Sequence, residues 1–526
     1  MEREYIVSLN RNIDYDKFWE EMENPTSGLT FVPDRRIDII NNRDGSLRSC
    51  HYSLTDKEAS LLKNDPRVYS VEIPPSQRTD ITIRKKAAQS SNFTKTTSDS
   101  GSFVNYGLRR CISESNPYGT GTAVSGDYTY SLDGTGVDIV IQDSGIQVDH
   151  PEFQDANGVS RVQQINWYTE AGLPGVQSAN HYRDYDGHGT HVAGIAAGKT
   201  YGWAKNARIY SLKVNGLEGS GDANTGIAVE DCFDVIKLWH RNKPVDPTTG
   251  VKRPTIVNMS WGYSTTFTNI IGGVYRTDPW TGTTRRTDYG MIGQFDGVSY
   301  WTDVRVESVD VDVQEMIDEG IHICIAAGNS YQKTDIPDGE DYLNYFKKRL
   351  SPTETIAVYY HQGGSPRDDQ AIVVGSTDTT VFNSTTEQKS IFSNCGKGVD
   401  IYAPGSNIIS CTSTTNSWGA GSQSYYLDSN YKQTNISGTS MASPQVAGAA
   451  ALLLQMDPRL TTAKLKEKIL ANSLNVVYST GLNNDYTNFR SVSDGNIRFL
   501  YQKFNNPQPY AITGGLGASS LRLSIG

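Results

Sequence analysis

NISGTSMASPQVAGAAALLL, residues Asn435 to Leu454, runs from a turn of small residues straight into an Ala-rich helical segment. The turn, Ser437-Gly438-Thr439, presents the hydroxyl of Ser440 where the helix begins. Backbone N–H groups at a helix start are free and point outward, so they favour developing negative charge. An acyl-transfer nucleophile and half of an oxyanion hole belong at such a place. A plain Ser/Thr turn that caps a helix is the alternative use of the same residues.

Upstream, from Gly134 onward, short apolar runs alternate with stretches of helical periodicity, the pattern of βαβ units and a parallel sheet. Strands are expected over 137–141, 209–214, 255–259, 321–327 and 371–374. Helices are expected over 225–240, 309–319 and 461–471. In the first of these, Val229, Cys232, Phe233, Ile236 and Trp239 share one face.

A hydroxyl is a poor nucleophile at neutral pH. It needs a neutral imidazole to take its proton and a carboxylate to hold that imidazole in the right tautomer. Candidates stand at element ends: Asp143 closes a strand in DSG, and His188 opens a helix in GHGTHVAG. In a parallel sheet, strand carboxyl ends and the helix starts that follow converge on one crevice. Taken singly, Asp143 could be a strand-end cap, and His188 a helix cap or, with His191, an i,i+3 metal pair. That pair lacks the adjacent carboxylate of an HExxH helix, so no metal site is assigned. Ala326-Ala327-Gly328-Asn329 ends another strand, where small residues let a backbone pass close to an amide side chain. A base that must be neutral also predicts activity falling with pH through the ordinary imidazole range, about 6.5.

DSG, GHGTHVAG and GTSMASP, in that order, resemble the three signatures of the subtilisin-like serine proteases (subtilases). The resemblance implies a three-layer α/β fold with a parallel sheet and a serine endopeptidase working through an acyl-enzyme. Asp143, His188 and Ser440 would be its triad and Asn329 the oxyanion donor. By the same resemblance Ser260-Trp261-Gly262 and Ala326-Ala327-Gly328 flank the main substrate pocket. Gly219-Ser220-Gly221 would form the opposite edge strand, and Trp261 stands in place of the family's usual smaller aliphatic residue. The substrates would be polypeptides, and no cofactor is required for the chemistry. Many subtilases carry a calcium loop after the His helix. Here Gly198-Lys199-Thr200-Tyr201-Gly202 has no acidic ligand and Glu152 takes the second position, so a calcium site of that type is not expected; the acid-rich loop 335–341 is the other place an ion could sit.

Ahead of this region, residues 1–76 read as a small α+β, ferredoxin-like unit. Tyr5 to Leu9 is a strand, Phe18, Trp19 and Met22 fall at helical spacing, and Thr55-Asp56-Lys57-Glu58 fits a capping box before a helix. Residues 67–73 form another strand. LTDKEASLLKNDPRVYSVE resembles the inhibitor-type propeptide of subtilases, which implies a zymogen that processes itself and a propeptide that acts as an intramolecular inhibitor. Residues 77–104, with Arg84-Lys85-Lys86 and a Ser/Thr-rich run, read as a linker holding the processing site. Asn105-Tyr106-Gly107-Leu108 resembles a mature subtilase start. The peptidase domain would span 105–504, with surface insertions at 263–307 and 331–367 that leave the sheet beside the cleft and could shape the channel. Residues 505–526 read as a peripheral tail.

Composition agrees with a large globular protein. The 526 residues carry 37% apolar residues, 49 Gly and 30 Tyr, and a net charge of −10 argues against nucleic acid as the main partner. No apolar run reaches the roughly 18 residues of a membrane span, so no membrane partner is expected. MEREYIVSLN has neither the basic nor the apolar region of a signal peptide. The expectation is therefore cytoplasmic synthesis, with a processing role inside an infected cell or on a virus particle as one outlet. Six scattered cysteines, with no CxxC pair, are expected to be buried free thiols.

Overall fold

Six contiguous buried residues, Asp138–Asp143, form the strand around which the molecule is built. Such all-round burial is what a parallel strand covered on both faces requires. The computed structural model describes residues 2–25, 29–85, 106–116, 130, 132–282, 289–295, 299–378, 386–417, 422–479, 492 and 495–502. The expected cut before Asn105 and the tail 505–526 lie outside these residues, as does most of the linker.

Among the described residues, the central sheet has ten strands. Its core order is Ile401–Pro404, Ile372–Asp378, His322–Ala326, Thr255–Met259, Asp138–Asp143, Arg208–Lys213 and Val162–Gln163, all parallel. The helices His188–Ala197 and Thr439–Met456 cover one face with an apolar cluster that includes Val192, Ile195, Val446 and Leu454. Val229–Asn242 and Glu307–Asp318 cover the other with Phe233, Ile236, Val309 and Met316. This is a three-layer α/β fold. The helix expected from Thr225 begins only at Val229, because the Thr225 hydroxyl bonds the Asp222 carbonyl and receives the Lys213 ammonium. All six cysteines are buried and unpaired. No helix of the described residues is long and apolar enough to cross a membrane.

The N-terminal unit is a four-stranded antiparallel sheet with the order Ile39–Asn41, Ser49–Thr55, Glu2–Leu9, Val68–Glu72, backed by the helices Tyr15–Glu23 and Asp56–Leu62. This β-α-β-β-α-β arrangement is ferredoxin-like. The capping box is formed as the sequence predicts, with Thr55 and Glu58 each bonding the other's backbone N–H. Its sheet lies on Glu307–Asp318 of the larger unit. There the Arg43 guanidinium, fully buried, sits 3.0 Å from Asp234 and 2.9 Å from Asp312. Glu315 accepts the backbone N–H groups of Leu47 and Arg48 and pairs with Lys237. Stripping one partner from a buried charge cluster costs about 3–5 kcal/mol. Arg43→Ala is accordingly expected to loosen the docked unit by at least about 3 kcal/mol. Amide hydrogen exchange in Glu307–Asp318 should quicken by roughly two orders of magnitude, and unchanged protection there would contradict the assignment.

The described residues of the two insertions carry antiparallel β structure. Trp261–Thr266 continues the strand end at Ser260 and pairs with Tyr300–Asp303, while Ile270–Tyr275, Asp278–Thr281, Tyr345–Arg349 and Thr355–Tyr359 make a second antiparallel sheet. Asp341 binds them together: its carboxylate takes Arg276 from one insertion and Lys333 from the other.

Candidate active site

Three neighbouring strands end at residues that matter chemically: Asp143, Ser260 after Met259, and Asn329 after Ala326. His188 is the first residue of its helix and Ser440 the second of its own. All five side chains are buried. His188 Nδ1–H donates to Asp143 Oδ1 at 2.7 Å, and the Ser144 N–H also reaches that oxygen at 2.7 Å. A carboxylate at Nδ1 fixes the tautomer that leaves Nε2 as an acceptor. His188 Nε2 has no hydrogen-bond partner among the described residues.

Ser440 Oγ–H donates to the Ser260 carbonyl at 3.0 Å, and Ser260 Oγ–H returns a bond to the Ser440 carbonyl at 3.1 Å. Asn258 adds a brace, donating to Ser260 Oγ at 2.9 Å and accepting from Ser443 Oγ at 2.7 Å. The serine helix is thereby keyed to the strand next to Asp143. Asn329 is oriented from the other side. Its Oδ1 accepts Thr439 N–H and Thr439 Oγ1–H, both at 3.0 Å, so its NH2 group must point away. Asn329 Nδ2 is buried and has no partner among the described residues. An imidazole with an open Nε2, a hydroxyl at a helix start and an unused amide donor are therefore gathered where neighbouring strands end and helices begin, the inventory that acyl transfer needs.

Over residues 134–495 the sequence matches the model of the subtilase family. This chain belongs to the subtilases. It is 28% identical over 447 residues to the extracellular serine proteinase of Thermus sp. strain Rt41A, covering 85% of this chain and 75% of that protein. It is 25% identical to alkaline serine exoprotease A of Vibrio alginolyticus, covering 88% of this chain and 60% of that one. The solved structure of fervidolysin from Fervidobacterium pennivorans, a keratinolytic enzyme related to subtilisin, superposes with a TM-score of 0.52 at 15% identity, covering 94% of this chain and 60% of that one. The last likeness speaks for the fold alone.

Within this subtilase one expected element, the edge strand at Gly219–Gly221, differs, and the roles of three further residues are defined. Gly219-Ser220-Gly221 is a turn, not an edge strand: Asp222 N–H bonds the Gly219 carbonyl and Gly221 has φ +106°. Trp261 is fully buried between Phe233 and Tyr263, so its indole fills the helix–insertion core. His191 donates Nε2–H to the Thr434 carbonyl at 3.1 Å, a structural role that argues against a metal pair with His188. Glu152 does not fit a calcium ligand. Its Oε2 takes the N–H groups of Thr200 and Tyr201, and its Oε1 takes the Tyr425 hydroxyl.

Two supporting residues escaped the sequence. Asp184 is buried and receives Ser144 Oγ–H at 2.9 Å, Gly187 N–H at 2.8 Å and Thr190 N–H at 2.9 Å, tying the Asp143 strand end to the His188 helix start. Burial pushes its carboxyl pKa up, and Asp186 adds to that shift. Gly189 follows from the same closeness, since a Cβ there would stand 2.1 Å from the Gly145 carbonyl oxygen. Asn394 braces the Asn329 turn, donating to the Ala327 carbonyl and accepting the N–H groups of Ser330 and Gln332. The run of Asp184 and Asp186 just before a helix start was a signal for the first. Asn394 carried none.

Proposed function

We propose that this chain is a serine endopeptidase synthesised with its own inhibitor. Ser440 Oγ attacks a peptide carbonyl, and His188 Nε2 takes its proton and passes it to the leaving amine. Asp143 holds the imidazole in the reactive tautomer and stabilises its charge. The oxyanion is received by Asn329 Nδ2 and the Ser440 N–H, and water then releases the acyl group through the same base. The observation that carries this reading is the pair of unpartnered buried groups, His188 Nε2 and Asn329 Nδ2, beside the serine helix.

The linker supports the inhibited resting form. Thr82–Lys85 lies antiparallel to Trp261–Ser264, with Lys85 opposite Trp261 and Thr82 opposite Ser264. The segment thus runs toward Ser260 and the nucleophile as an extended substrate would, by adding a strand to an edge. The cut that frees the N-terminal unit is placed beyond Lys85. A fluorophosphonate that adds one mass increment at Ser440, and none after His188→Ala, supports the peptidase. No adduct on freshly processed protein would count against it.

Asn329→Ala removes one oxyanion donor. It is expected to lower kcat by about 10²–10³-fold, the size of this loss in subtilisin itself, with KM little changed. An equal fall in binding would point to a misfolded turn instead.

A further inference from the structure

The linker strand does more than pass the nucleophile; it is anchored upstream by residues that come from the two insertions. Ile81, one residue before the strand begins, is buried in the apolar cluster that holds Tyr263, Val304 and Val358. It borders a cleft of 470 Å³ whose walls include Thr265, Val304, Ile356 and Val358. Ile83, two residues on, packs against the same cluster and lies so close to Gly216 that a Cβ there would stand 2.8 Å from its Cγ2. Alternate residues of an extended chain share a face, so both isoleucines enter one groove.

A polar contact fixes the residue ahead of Ile81. Thr265 Oγ1–H donates to the Asp80 backbone carbonyl at 2.6 Å. The buried ammonium of Lys348 donates to Thr265 Oγ1 at 2.7 Å and to Thr266 Oγ1 and its carbonyl at 3.1 Å each. Asp80 itself is paired with Arg78. Arg78 and Asp80 belong to the linker, whereas Thr265 and Lys348 stay with the larger unit when the linker leaves. The lysine then remains as a fixed positive charge at the upstream end of an apolar groove.

We propose that the insertions form an upstream recognition site for extended polypeptides. It takes an apolar residue two positions before the one seated at Gly216, preceded by an acidic residue over Thr265 and Lys348. Asp80-Ile81-Thr82-Ile83 is its resident occupant, and substrates with the pattern acidic–apolar–any–apolar follow it. The proposal rests on the peptidase reading for its use in catalysis, but the docking itself does not. Burying one isoleucine is enough for a tenfold or larger effect.

Docking is tested on the full chain carrying Ser440→Ala, which keeps the linker uncut. Ile81→Ser is expected to speed amide exchange of 82–85 at least about tenfold, while Ile81→Val restores protection. Equal exchange in all three overturns the site, whether or not the protein hydrolyses anything. Use by substrate is tested on self-processed protein with a peptide copying residues 79–90 and the same peptide with serine at the Ile81 position. A tenfold or larger loss in kcat/KM, carried by KM, is expected for the serine peptide. Equal turnover overturns the site while leaving the peptidase standing. If no peptide is cut and no phosphonate adduct forms, the peptidase reading fails and the exchange result alone decides the groove.

Discussion

With Ser440 replaced by alanine, peptide hydrolysis is expected to fall on the order of 10⁶-fold, the loss seen when subtilisin is stripped of its serine. The fold should survive, because Ser440 Oγ makes one hydrogen bond, to the Ser260 carbonyl, and one such bond is worth about 1 kcal/mol. His188→Ala should cost about as much, and the double variant no more than either alone, since the base has no work without the nucleophile. Asp143→Asn is expected to be gentler in structure and still severe in rate, on the order of 10⁴-fold, because an amide at Nδ1 stabilises the wrong tautomer. Intact mass reads the same chemistry inside the molecule. Wild type should lose an N-terminal piece ending beyond Lys85, and Ser440→Ala should stay whole. Both staying whole, with a phosphonate adduct on Ser440, would mean a permanent lid over a working site. Both staying whole without an adduct would remove the peptidase reading.

The parts of this molecule that were legible in the sequence are those whose cause is local. Asp138–Asp143 declares a strand through its apolar centre, Ile139-Val140-Ile141, as a parallel strand buried on both faces requires, and the capping box at Thr55 and Glu58 is complete within four residues. The positions of Asp143, His188, Ser440 and Asn329 could be read because each ends or starts an element, and a parallel sheet gathers such ends. What could not be read depends on distant partners. Nothing near Asn394 foretells a brace for residues 327–332, and nothing in Arg43 foretells its burial between Asp234 and Asp312. The insertions look like surface loops because they are rich in Gly, Thr and Tyr, yet Asp341 ties one to the other and Trp261 roots them in the helix layer. At Gly219–Gly221 a motif of small residues suits an edge strand and a turn equally well, and the chain takes the turn. Lys213 decides the case from the neighbouring strand by drawing Asp222 and Thr225 inward.

Acid should unfold this protein well before it protonates the bulk of its carboxylates. Seven buried imidazoles are pushed below the ordinary value, chiefly by burial, and five of them far: His181, His322 and His361 to about 4, His191 and His240 to about 3. Nearby cations add to the shift, Lys213 at His181 and Lys243 at His240. Each contributes its stability in full above the unfolded imidazole value, about 6.5, and loses it as pH falls toward the native value, because only the unfolded chain takes up the proton. At pH 5 the loss is about 2 kcal/mol per group, partly offset by the buried carboxyls of Glu307 and Asp312, which burial pushes up to about 7 and which regain stability as pH falls. Thermal melts are therefore expected to be high and flat above pH 7 and to collapse between pH 6.5 and 5. His322 offers the cleanest single test, since burial alone depresses it and its Nδ1 has no partner among the described residues. His322→Phe keeps an aromatic ring of similar size and removes the proton site, so its acid collapse should begin at lower pH than wild type. Melts that stay flat to pH 5 would mean that these imidazoles reach water in the native state, and the packing around them would have to be redrawn.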